Sequence, residues 1–137
     1  QLISSAMQKG LKTRKIAHDI LFNIKNKNEH FNDLLNLNFL KFNLSTSDKK
    51  MIHLIVLTSM RFSIHVEKII SLYVKKKQKT QHFILFLSAI SQIVYLNFKE
   101  YAVVNSTVEL AKDKKINIYP GFVNAVLKSG SRPLRRT

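Results

Sequence analysis

The chain has 137 residues, enough for one domain with a real core, and 45% of them are hydrophobic, which excludes a basic disordered tail. Cysteine is absent, which excludes disulfides, thiolate metal sites and a cysteine nucleophile, and the 3 glycines and 2 prolines are too few for the turns of an all-β domain. Lys and Arg number 23 against 8 acids, a net charge of +15 that points to a polyanionic partner, nucleic acid ahead of membrane; lysine abundance from an AT-rich genome is the competing reading.

The lack of cysteine makes a cytoplasmic setting the simple expectation. Gln1 to Met7 is too short for a targeting segment and has no basic residues ahead of an apolar run. The chain begins on Gln1, so either it is an excerpt or Met7 is the true start.

Lys9 to about Lys27 reads as a first helix, with Ile16, Ile20, Leu21 and Ile24 as its apolar stripe. Lys9, Lys12, Arg14 and Lys15 crowd its opening turns, where the helix dipole disfavours cations. That placement suggests phosphate contacts, against a solvated frayed end. Asn28 to about Asn38 reads as a second helix with Phe31, Leu34 and Leu35 inward. Ser47 suits the N-cap of a third helix running to about Phe62, with Asp48 at its positive end and Arg61 at its negative end.

Ser63 to about Lys75 gives a fourth helix, marked by Val66, Ile69, Ile70 and Tyr73. The lysines of Lys75 to Lys79 read as a solvated loop. Thr80 suits the cap of a fifth helix, to about Leu96, apolar nearly all round and therefore buried on several sides. Its greasiest run, Phe83 to Phe98, is shorter than the ~20 residues of a membrane span and is broken by Ser88, Ser91 and Gln92.

Two further helices close the domain. Val104, Val108 and Ala111 mark the first, and Phe122, Val123, Val126 and Leu127 the second. Pro120 suits the first turn of the last helix and Gly130 the position just past its end. Asn105 and Asn124 read as buried amides, and Arg61 as an interior partner of Glu109. Residues 131–137 read as a basic irregular tail or the start of a linker after a domain of residues 9–130. The expected fold is all-α, a compact bundle of about seven helices around the fifth.

The chemistry of catalysis is missing. His18, His30, His53, His65 and His82 show no metal-pair spacing and no acids cluster with them. No glycine-rich phosphate loop exists, and nothing resembles a nucleophile with its base. The chain is expected to catalyse nothing by itself, to hold no metal or cofactor and to enter no membrane. Lys9, Lys12, Arg14 and Lys15, with Arg132, Arg135 and Arg136, are the expected RNA phosphate contacts. Tyr101 and Tyr119 are candidates for stacking on unpaired bases, with core packing as the competing role.

Arg14 to Leu21, Val56 to Arg61, Ser91 to Leu96, Ala102 to Lys112 and Gly121 to Lys128 carry a resemblance over about residues 9 to 132. The chain resembles the NusB-like domain, in the version at the front of the bacterial ribosomal RNA cytosine-C5 methyltransferases (RsmB, Sun or Fmu). Gly-Phe-Val-Asn-Ala-Val-Leu-Lys from Gly121, in order and spacing with Ala102 to Lys112, is its most specific part. Thr58 stands where the family usually has glycine, Ser106 where it has glutamate and Lys128 where it has arginine.

The resemblance implies an all-α fold and RNA binding. It implies one of two settings: the RNA-binding part of an S-adenosylmethionine-dependent methyltransferase whose catalytic domain lies outside this chain, or an antitermination factor working with a NusE-like ribosomal protein. A helical protein-interaction domain, with charge set by genome composition, is the third expectation.

Overall fold

The structure is a computed structural model that describes the backbone of residues 5–135 and the side chains of residues 8 and 10–130. Seven helices run in order: α1 (Ser5–Lys27), α2 (Phe31–Lys41), α3 (Thr46–Arg61), α4 (Ser63–Tyr73), α5 (Thr80–Val94), α6 (Glu100–Leu110) and α7 (Pro120–Arg135). Among the described residues there is no strand, and no helix is long and apolar enough to cross a membrane.

The bundle is built around α5, in which every residue from Phe83 to Ile93 is buried. Helices α1, α3, α4, α6 and α7 all pack on it. Each large apolar side chain so enclosed contributes roughly 1.5–3 kcal/mol over its exposed state. The polar residues that interrupt its sequence lie inside the same core: Gln92 donates from Nε2 to the Ser88 carbonyl and receives the Arg14 guanidinium.

Helix ends follow local chemistry, and three differ from the expected positions. The N-cap of α3 is Ser45, not Ser47: its hydroxyl accepts from the Asp48 N–H at 3.1 Å, and Asp48 reaches back to the Ser45 N–H. This reciprocal pair needs the acid three residues after the cap, which fixes the register. Thr80 does not cap α5; it is the first helical residue, and Lys79 stands before it without a side-chain cap. α2 begins at Phe31 because Asn28 takes a left-handed conformation, φ 55°, and ends α1. The Glu29 N–H then turns back toward the Asn23 carbonyl. Asn97, φ 56°, ends α5 in the same way, with the Phe98 N–H on the Gln92 carbonyl at 3.0 Å.

The largest correction concerns α7. Pro120 opens it as expected, but Gly130 does not close it. Gly130 is buried where α7 crosses α4 and α5, and the helix continues through Arg135 across the stretch that reads as irregular. Tertiary packing there outweighs the helix-breaking tendency of glycine.

Candidate nucleic-acid interface

The expected phosphate contacts at the start of α1 divide on burial. Lys12 is exposed, its ammonium 5.2 Å from the centroid of the Phe42 ring. Arg14 instead turns inward and is 8% exposed. Its Nε donates to Gln92 Oε1 at 2.7 Å and a terminal nitrogen donates to Ser106 Oγ at 3.3 Å. Burial lowers its pKa, yet a guanidinium stays charged, so Arg14 is a structural cation between α1, α5 and α6. Lys15 is held by Asp19 at 2.9 Å and faces Asp113 at 3.7 Å. The side chains of Lys9, Arg132 and Arg135, and all of Arg136, lie outside the described residues.

Two expected interior features lie at the surface. Asn105 is exposed and Asn124 half-buried, because α6 turns Val103, Val104, Thr107 and Leu110 to the core and leaves Asn105 off that stripe. Arg61 and Glu109 do not pair: Arg61 lies over the Phe62 ring, and Glu109 accepts from Lys112 at 3.0 Å. Both charges stay in water, where no desolvation has to be offset.

A concentrated basic surface forms elsewhere, around the first turns of α5. His18 of α1 meets Gln81 there, Nε2 to Oε1 at 2.5 Å, and Lys25 of the last turns of α1 places its ammonium 5.3 Å from the Phe83 ring centroid. From the other side the His82 Nε2–H donates to the Ile116 carbonyl, 2.6 Å, which ties the α6–α7 loop to the same place. The sequence separates these segments by up to about a hundred residues, and α5 brings them together. Their exposed side chains include Lys25 and Lys27, Lys75, Lys76, Lys77 and Lys79 of the α4–α5 loop, and Lys114 and Lys115 of the α6–α7 loop. Among the described residues none of these lysines forms an ion pair with an acid.

Two acids reach this end of the bundle, exposed Glu29 just after α1 and Asp113 of the α6–α7 loop. Asp113 accepts from the Lys115 backbone N–H at 2.9 Å, a bond that holds its carboxyl below the usual range, with Lys15 and Lys115 adding to the effect. His18 is 1% exposed, and burial lowers its pKa, so the imidazole is neutral at neutral pH and adds no charge to the surface. Neither α5 nor α7 carries an acid in its first turn, and α5 has no side-chain cap. The lysines of the α4–α5 and α6–α7 loops, beside the positive ends of α5 and α7, cost stability, whereas Lys25 and Lys27 suit the last turn of α1.

The lysine run after α4 is thus part of a multi-segment surface, although its sequence reads as a loop. The signal was the run itself; what no periodicity reveals is that Lys25, Lys27, Lys114 and Lys115 join it.

Tyr119 and Tyr101 are both largely exposed, at 76% and 66%. Tyr119 lies at the end of the α6–α7 loop, in which Ile116 is buried and Ile118 partly so while Lys115, Asn117 and Tyr119 are exposed. Among the described residues no group of His, Asp and Glu is arranged to hold a metal ion.

Comparison with known proteins gives two results. A family model described as the NusB family matches residues 11–132. A chain in the crystal structure of antitermination factors NusB and NusE in complex with dsRNA superposes with a TM-score of 0.78 at 19% identity, covering 95% of this chain and 99% of that one. At that identity the likeness establishes the fold. No curated protein matches.

Proposed function

The chain belongs to the NusB family, and on that footing we propose that it is an RNA-binding module that carries out no reaction itself. The observation that carries this reading is the meeting of unpaired lysines from three segments around the first turns of α5. Flexible ammonium groups fix a phosphate backbone by charge and read little sequence. Each phosphate they neutralise releases a counterion, so affinity falls with salt. Lys12 at the far end of α1 extends the same chemistry.

The test is a salt titration of RNA binding. With about four to six phosphates engaged, log affinity against log salt has a slope of about −3 to −4 on single-stranded RNA. Replacing Lys76, Lys77 and Lys79 together by glutamine lowers the steepness by about two, and the exposed positions leave the fold intact. An affinity that ignores salt removes the phosphate-contact reading and leaves a protein-interaction domain.

Within that function, the resemblance of Ala102 to Lys112 and Gly121 to Lys128 to the methyltransferase version supports a role as the part that holds ribosomal RNA for cytosine-C5 methylation. The S-adenosylmethionine site and catalytic cysteine belong to a separate domain in that version. The likeness to a chain from a NusB–NusE–RNA complex supports the second setting, antitermination with a NusE-like partner. Crosslinking the protein to RNA in cells separates them: ribosomal RNA around a modified cytosine supports the first, and nascent leader transcripts together with bound NusE-like protein support the second.

A further inference from the structure

We propose that Tyr119 is a stacking platform for an unpaired base and that Gly121 holds it in place, which makes single-stranded RNA the preferred ligand of the lysine surface. The inference rests on the RNA-binding reading above and adds a residue that reads bases to lysines that read phosphates.

Tyr119 is 76% exposed, the most exposed aromatic side chain among the described residues. The neighbouring Phe122 shows the ordinary alternative: it meets Phe86 of α5 edge to face, ring centroids 6.0 Å apart. The Tyr119 ring instead lies back over the first turn of α7. A Cβ built on Gly121 falls 2.6 Å from Tyr119 Cε2, closer than a methyl group can come, and a tight 3.2 Å from Cζ and 3.3 Å from Oη, so a side chain there would push this exposed ring aside. Only the bare backbone of Gly121 leaves room for the ring there. Gly121 has an ordinary helical φ, so no backbone conformation requires glycine at this position. The space it leaves is filled by one side chain, whose remaining surface is open to solvent.

The ring's setting suits a nucleic acid. Its loop carries exposed Lys114 and Lys115 and is tied to α5 through the His82–Ile116 hydrogen bond, beside the lysines of the α4–α5 loop. No acid stands in the first turn of α7 to repel a phosphate. An aromatic face beside a cationic track is the combination that binds single strands, the bases stacking while the backbone follows the charge. A duplex keeps its bases stacked on one another and offers none to Tyr119.

The test uses the whole chain with a short single-stranded RNA carrying 2-aminopurine and with a blunt RNA duplex of equal charge. Tyr119→Ala is expected to weaken single-strand binding about 5- to 100-fold, with duplex binding within about twofold of wild type. Tyr119→Phe keeps wild-type affinity and the fluorescence quenching that reports stacking. Gly121→Ala displaces the ring, so it reproduces most of the Tyr119→Ala loss while its thermal stability stays equal or higher, since alanine favours a helix. Tyr119→Ala binding single strands like wild type overturns the proposal, as does an equal loss on duplex. A wild-type chain that binds neither RNA defeats the underlying RNA-binding reading instead, and the two failures are thereby distinct.

Discussion

Arg14 shows how one residue's role is decided by what surrounds it. In sequence it is one of several cations at the start of a helix; in the structure its neighbours Thr13, Ile16 and Ala17 are buried and its side chain has to follow them. Among the described residues the guanidinium then bonds two neutral oxygens, Gln92 Oε1 and Ser106 Oγ. Ser106 is also the position where the resembling family usually carries glutamate, and the structure shows what such an acid would touch. A buried cation without an anion is costly, whereas a charge-assisted pair in good geometry is among the stronger contacts a protein makes. Ser106→Glu is therefore expected to raise the unfolding free energy by about 1–3 kcal/mol, read from urea denaturation at neutral pH. An unchanged or lower midpoint would show that Arg14 is fully satisfied by its neutral partners. The inward turn of Arg14 was partly legible: the helical spacing that puts Ile16, Ile20 and Leu21 inside also carries positions 13, 14 and 17 toward the core.

At the scale of the helix, the existence of every element was legible and the ends were less so. Apolar periodicity is a property of many residues and survives local exceptions. A helix end depends on one or two contacts, as with Ser45 and Asp48 at α3 or the left-handed Asn28 and Asn97. Gly130 is the clearest case. Its position after Leu127 and before a basic stretch suits a terminus, but Ile69 and Ile90 lie against it, and packing carries α7 onward. A Cβ there would sit 3.5 Å from Ile90 Cδ1 and 3.8 Å from Ile69 Cγ2, ordinary van der Waals distances. Gly130→Ala is thus expected to stabilise the protein by about 0.5–1 kcal/mol, from helix propensity and a less flexible unfolded chain. Thermal unfolding checks it, and a destabilised variant would mean that the crossing of α7 with α4 and α5 is tighter than these distances imply.

The whole molecule is organised by α5, and this was the part the sequence expressed most fully. A run apolar on all sides has no stable place except at a centre, and Phe83 to Ile93 takes it. The binding surface was not legible in the same way. Net charge announces a partner for the molecule but no address on it, and the segments of Lys25 and Lys115 reach the start of α5, beside Lys79, only through His18–Gln81, Lys25–Phe83 and His82–Ile116 contacts that join distant parts of the chain.

Concentrating like charges at the positive ends of α5 and α7 has a price in the free protein. Mutual repulsion there is relieved when mobile ions gather, over a Debye length of about 10 Å at 0.1 M. The melting temperature is therefore expected to climb by a few degrees as sodium chloride is raised from about 20 to about 300 mM, the opposite of a fold held by surface ion pairs; a calorimetric scan at each concentration decides it. A polyanion bound at that end would do the same more effectively, to the extent that the folded form, with its lysines gathered, binds it more tightly than the unfolded chain. Seen this way, the end of the bundle that carries the lysines is unfinished until something negative lies across it, and the ligand completes the architecture that receives it.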